Sequence, residues 1–285
     1  VSVTAVAASE VNTGVANPIA QTFSINFKLY TTAENTIRGV YRWERDNGYN
    51  ITVRVIGTTM YYVNTVTHEL VTVKTGLHAS ASYYSFANAD NKLFWVNSYD
   101  ALSYWDANTT GSITDPDLEI MSQITYHKDR LFGVSAANKN KVMWSEAPGN
   151  PSDLAVNQQW YNAWESTSFQ YVPRPYIGSP ITSIQSFQDS LFIFTQDGKY
   201  VFSGYDAGSY TLRESTGFAG AVSAKSVCIT KNFMYFVGKD GFWQFDGTND
   251  KKISEPIEPL FRGLTDRSAV TVSEWRNQVR FYIQE

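Results

Sequence analysis

The sequence predicts an all-β fold made of one repeated unit, and three observations carry that prediction. The first is a hairpin written twice, from Ser186 to Gly204 and again from Thr230 to Gly247. Each copy has an apolar strand (Leu191 to Phe194; Met234 to Val237), an Asp-Gly pair (Asp197-Gly198; Asp240-Gly241) and an aromatic return strand. Asp-Gly between two such runs predicts a tight turn whose two central residues have positive φ. The second is periodicity: the apolar runs alternate or are continuous over four to six residues, whereas a helix would show a 3.6-residue repeat. The third is recurrence of the unit along most of the chain.

In chain order, residues 1–35 are small, polar and β-branched, with Pro18 and an alternating run from Phe23 to Phe27. They read as an extended N-terminal arm or edge strand. Residues 36–285 then accommodate six copies of a strand–turn–strand–turn–strand unit. The first has strands at Gly39–Trp43, Ile51–Ile56 and Met60–Val63, and the second at Tyr83–Phe86, Leu93–Val96 and Leu102–Trp105. The third has Ile124–His127, Leu131–Val134 and Val142–Trp144, the fourth and fifth are the duplicated hairpins, and the sixth is Val270–Val272 with Val279–Tyr282. With Thr52, Leu93, Leu131, Leu191, Met234 and Val279 as equivalents, the spacings are 41, 38, 60, 43 and 45 residues. A propeller blade of four strands needs about 40 to 50 residues, so the prediction is a β-propeller of about six blades. A β-sandwich would not repeat one hairpin at a nearly constant period. A short helical turn is expected at Glu255–Leu264.

The 60-residue spacing locates one long inter-blade insertion, at about residues 147–179. Its rings Trp160, Tyr161, Trp164, Tyr171 and Tyr176 suit a partner-contact loop, because such rings dominate interface energetics. The competing reading is that the insertion caps the side of its own blade. The chain opens on Val1 and closes inside a strand pattern at Arg280–Glu285, and it reads as part of a longer polypeptide.

Composition narrows the function. Aromatic residues make up 15% and charged residues 18%, as expected of sheets packed face to face through rings. A net charge of −4 argues against a general nucleic-acid binder, which needs a basic stripe to neutralise phosphates. No apolar run reaches the length of about 18 residues that a membrane span requires. The single cysteine, Cys228, excludes an internal disulfide framework and sits in an apolar run that suits a buried, inert thiol.

Catalytic and cofactor patterns are not expected. His68, His78 and His127 stand in no metal-binding or nucleophile motif, and His127 occupies the turn that Phe187–Ser190 and Thr230–Phe233 fill in later copies. A glycosidase pair of carboxylates needs only proximity in space, and nothing beyond aromatic richness supports one. Asp106–Asp117 resembles a calcium loop, with Gly111 at the sixth place, but Thr110 and Pro116 depart from the pattern and strands flank it. An ordinary polar turn is the reading. No glycine-rich phosphate loop enters a helix, so no nucleotide cofactor is expected.

A series of stretches carries a family resemblance. His127–Phe132 followed by Lys141–Pro151, then Leu191–Gly204, then Asp240–Gly247 with Ile253-Ser254, resembles in order the blade signature of propeller proteins in tails of double-stranded DNA bacteriophages. These are the tail nozzle, or tail tubular protein B, and related stabilisation and hub proteins. The resemblance covers about residues 37–285. It implies a non-enzymatic structural virion protein of the tail or neck, assembled in the host cytoplasm, commonly in a six-subunit ring below the portal and adaptor. It also implies contacts with adaptor and tail-fibre proteins and transient passage of DNA without specific binding. The alternative is a propeller lectin or receptor-binding module whose rings stack on glycans; a third reading is a hydrolase with its site at the central channel.

Overall fold

The structure, a computed structural model, describes residues 36–148, 159–173, 180–206, 208–275 and 278–283. The predicted arm at 1–35 and residues 149–158 and 174–179 of the insertion lie outside the described residues. All described residues belong to the unit Glu34–Glu285.

Five antiparallel four-stranded sheets follow one another in sequence order. Blade 1 comprises β1 (Ile37–Glu44), β2 (Asn50–Ile56), β3 (Thr59–Val63) and β4 (Leu70–Lys74); blade 2 comprises β5 (Ser85–Ala89), β6 (Lys92–Val96), β7 (Ser103–Trp105) and β8 (Thr110–Ser112). Blade 3 contains β9 (Met121–His127), β10 (Arg130–Ser135), β11 (Lys141–Ser145) and β12 (Trp164–Tyr171). Blade 4 contains β13 (Ile181–Phe187), β14 (Ser190–Thr195), β15 (Lys199–Ser203) and β16 (Thr211–Glu214). Blade 5 contains β17 (Val227–Ile229), β18 (Met234–Val237), β19 (Phe242–Phe245) and β20 (Asp250–Lys252). A two-stranded sheet of β21 (Thr271–Trp275) and β22 (Gln278–Tyr282) follows. Between it and blade 5 lie a 3-10 turn at Glu255–Ile257 and α1 (Glu258–Arg262), where the helical turn was expected.

The fold is an all-β propeller, and the expected count of about six blades is corrected to five. The sixth repeat places only two strands in its sheet among the described residues. The six positions aligned from sequence, Thr52 through Val279, all fall in second strands: β2, β6, β10, β14, β18 and β22. In blades 2 to 5 that strand is the most buried, so its apolar run is the least ambiguous mark of a blade: Leu93, Leu131, Leu191 and Met234 are each 0% exposed.

Blades meet through rings. One buried cluster joins blades 1 and 2 around Trp43, Trp95 and Trp105, and another joins blades 2 and 3 around Phe94, Leu131 and Trp160. Phe132, Trp144 and Phe202 lie in the seam between blades 3 and 4, and Phe194, Phe236 and Phe245 in that between blades 4 and 5. Phe242, Phe261 and Val272 join blade 5 to α1 and the two-stranded sheet. Most pairs are tilted or edge-on, such as Phe132 and Phe202 with centroids 5.7 Å apart, the geometry that ring quadrupoles favour. Among the described residues no buried apolar cluster joins the two-stranded sheet to blade 1.

The hairpin expectation holds in place and fails in detail. Asp197-Gly198 and Asp240-Gly241 do connect second to third strands, but none of the four residues has positive φ. Thr195 N–H donates to Gly198 O at 2.9 Å and Gly238 N–H to Gly241 O at 2.8 Å, closing connections longer than two residues that need no left-handed backbone. Gly241 is required for space: a Cβ there would lie 2.4 Å from Lys252 Cε and 2.5 Å from Ser254 Oγ. Left-handed backbone occurs instead at the first hairpin of the blades, at Asp90 and Asn91 in blade 2 and Lys128 and Asp129 in blade 3. Those two-residue links pair Ala89 with Lys92 and His127 with Arg130.

Candidate functional site

The first strands of all six sheets contribute to one central cavity of about 780 Å³, within the range of small-molecule pockets. Its charged lining residues are Arg38 and Lys225, with no carboxylate among the described residues that line it. Arg38 Nη1 donates to Ala79 O at 2.7 Å.

Inner strands of neighbouring blades do not share a ladder, and side chains bridge them. Ser85 Oγ donates to Ile124 O at 3.1 Å and accepts from Ile124 N–H at 3.0 Å. Gln123 Nε2 donates to Thr182 O at 2.9 Å, and its Oε1 accepts from Ile184 N–H at 3.1 Å. Each side chain thus satisfies one donor and one acceptor of the next blade, as a peptide unit would. This belt runs from blade 2 through blade 3 to blade 4 and fixes the spacing of strands around the cavity.

His127 continues the connection at the end of β9. Its Nδ1 lies 2.8 Å from Ser186 Oγ of blade 4, its Nε2 has no hydrogen-bond partner, and its ring meets Phe132 edge-on. Burial, helped by the nearby Lys128 charge and opposed by Asp189, lowers its pKa from 6.5 to about 4. The ring is therefore neutral in the folded state where an unfolded chain would already take a proton. Stability from this site is complete above about pH 6.5 and falls as the pH drops toward 4, by about 3 kcal/mol in all. Urea midpoints measured across that interval should fall in the wild type, with a flatter slope in His127→Gln; equal slopes would contradict this assignment.

The five rings singled out in the insertion are not brought to one surface. Trp160, Tyr161 and Trp164 are 7%, 4% and 4% exposed and belong to the core between blades 2 and 3. Trp160 and Tyr161 sit in a 3-10 turn at Trp160–Asn162, and Trp164 opens β12 with its Nε1 donating to Tyr161 O at 2.9 Å. Tyr161 packs edge-on against Phe94 at 5.4 Å, with Lys92 Nζ 5.0 Å from its ring centroid. These three rings cap the seam of their own blade, and a partner could not reach them without opening it. Tyr171, at the end of β12, is exposed, and Tyr176 lies outside the described residues.

The other singled-out residues have local roles. Asp106 accepts from the N–H groups of Asn108 and Thr109 at 2.8 and 2.6 Å, and Asp246 from those of Thr248 and Asn249 at 2.8 and 2.7 Å. The stretch read as an ordinary polar turn therefore opens on a turn cap that blade 5 repeats. His78 stacks on Tyr99 with centroids 4.3 Å apart. Cys228 is half-buried, and burial, reinforced by Glu274, pushes its thiol up to about 11, so it stays protonated at neutral pH. Among the described residues no helix is long and apolar enough to cross a membrane.

Sequence reasoning missed the polar ties between blades, including Lys199, whose Nζ lies 2.6 and 2.8 Å from the Asp250 carboxylate oxygens. Both side chains are 0% exposed. The only local signal is a polar residue at an inward position of a strand, as Gln123 is in β9.

No protein-family model matches the chain, and no curated protein matches it in sequence. Solved propeller structures are similar in fold. The N-terminal domain of Nup159 aligns with a TM-score of 0.51 at 12% identity, over 87% of this chain and 72% of that one. The computationally designed Ika8 protein aligns with a TM-score of 0.50 at 13% identity, over 89% and 70%. BamB from Moraxella catarrhalis gives 0.49 at 10% identity, over 88% and 72%. At these identities the likeness is one of fold alone, and the fold is an all-β propeller.

Proposed function

We propose that this protein is a non-enzymatic structural component of a tailed-phage tail or neck, of the nozzle or hub type, working in a homo-oligomeric ring of about six copies. The observation that supports this reading is the ordered series of blade motifs: Leu131 and Leu191 lie in the second strands of blades 3 and 4, and Asp240–Gly247 spans the third strand of blade 5 as Lys199–Ser203 forms that of blade 4. A rigid body suits the role, since rings and polar ties hold consecutive blades together. A cavity of about 780 Å³ has the size of a ligand pocket, so in this reading DNA runs through the centre of the assembled ring and not through a propeller. The net charge of −4 would repel a passing polyanion and limit trapping.

Adaptor and tail-fibre proteins are the proposed neighbours. With Trp160, Tyr161 and Trp164 buried, contacts fall to outer strands and exposed rings such as Tyr171. Light scattering and electron microscopy of the purified protein should show a ring of about six copies, or density at the neck or tail of a virion. A stable monomer that joins no particle and binds glycans on an array would replace this reading with the lectin alternative.

A further inference from the structure

We propose that Lys199 and Asp250 become joined by an intramolecular amide bond, a covalent tie between blades 4 and 5. This inference is independent of the proposed function. The two residues are 51 positions apart in sequence, at the starts of β15 and β20, and both side chains are fully buried. Lys199 Nζ lies 2.6 Å from Asp250 Oδ1 and 2.8 Å from Oδ2, inside the reach of a reacting pair.

The surroundings are arranged for condensation as well as for pairing. Ala219 O accepts from Lys199 Nζ at 3.1 Å, while Ala219 N–H donates to Asp250 Oδ2 at 2.8 Å. One backbone unit therefore orients the amine and supports the oxygen on which negative charge develops during addition. The rings of Phe245, Phe236 and Phe194 surround the nitrogen, with centroids 4.4, 5.2 and 6.0 Å away. The Gly217 backbone covers the pair closely: a Cβ there would stand 2.5 Å from Nζ and 2.7 Å from Oδ2. Both side chains are closed to bulk solvent. Burial lowers the Lys199 pKa, against the pull of Asp250, and so favours the neutral amine that attack requires.

The step balances within the pair. The Lys199 ammonium gives one proton to the Asp250 carboxylate, and the amine lone pair adds to the carboxyl carbon. As the tetrahedral adduct collapses, a second amine proton passes to Oδ1, which leaves as water. One C–N bond forms and one C–O bond breaks, with no oxidant or co-reactant. In the product the amide N–H still donates to Ala219 O, and Oδ2 still accepts from Ala219 N–H. Two desolvated charges are replaced by one satisfied amide, which removes the burial penalty of an ion pair.

Intact-mass spectrometry of the purified, denatured full chain tests the bond. The expected mass is lower than the sequence mass by one water, and digestion should yield one branched peptide joining Lys199 to Asp250. Lys199→Arg, which keeps the charge and cannot form this lysine amide, should restore the full sequence mass. A wild-type chain at its sequence mass would overturn the proposal and leave an ion pair. So would loss of water that persists in Lys199→Arg or maps to the succinimide-prone Asp197-Gly198, Asp240-Gly241 or Asp246-Gly247.

Discussion

Replacing Leu191 or Met234 with aspartate is expected to unfold the propeller. Both positions are 0% exposed and lie at the start of second strands. Leu191 faces Ser186 on one side and Phe202 on the other, and Met234 faces Ile229 and Phe245. Both belong to buried apolar clusters, and a buried charge costs several kcal/mol against a total stability of about 5 to 15 kcal/mol. Leu191→Ala, which removes atoms without adding charge, should cost about 2 to 5 kcal/mol and remain foldable. Solubility and urea unfolding of the three variants separate the effects. A soluble Leu191→Asp protein with an unchanged midpoint would show that β14 is not a core strand.

Asp250→Ala is expected to cost about 3 to 5 kcal/mol, because it leaves Lys199 with no counter-ion in a site it cannot leave for water. For a chain of this size that loss lowers Tm by roughly 10 °C. The ammonium would retain Ala219 O as an acceptor, which does not replace a carboxylate. Lys199→Met combined with Asp250→Leu should be more stable than Asp250→Ala, since no charge is then left buried and the three phenylalanine rings receive apolar neighbours. Calorimetry on the single and double variants decides this, and an unchanged Tm in Asp250→Ala would show that the Lys199–Asp250 tie, ionic or covalent, does not hold blades 4 and 5 together.

The strands legible in the sequence are those whose burial is two-sided. β6, β10 and β14 are continuous apolar runs, and they set the repeat. The fourth strands were not legible: β8, β16 and β20 are short, polar and partly exposed, so no alternation marks them. The same blindness made the 147–179 segment read as one long loop. Its Trp164–Tyr171 portion is β12, the outer strand of blade 3, whose exposed Glu165, Ser166 and Thr167 resemble loop composition. Trp160 and Trp164 looked available because ring content cannot tell a contact surface from a cap. That distinction rests on what Phe94 and Tyr104 of blade 2 present to them. The ties at Ser85, Gln123 and Lys199 were invisible for a different reason: their partners are 39 to 61 residues away, and no local pattern encodes such distances.

Among the described residues five apolar seams link six sheets, which for those seams is the arithmetic of an open row and not of a closed circle. In a closed circle every sheet is held from both sides, and opening anywhere must break two seams. In a row, loss can start at either end and proceed one neighbour at a time, as in stacked repeats whose stability is a sum of nearest-neighbour terms. Blade 1 and the two-stranded sheet each have one such seam among the described residues. Their amides should exchange with solvent first, while blades 3 and 4, clamped on both flanks and tied by Gln123 and His127, should be the last to yield.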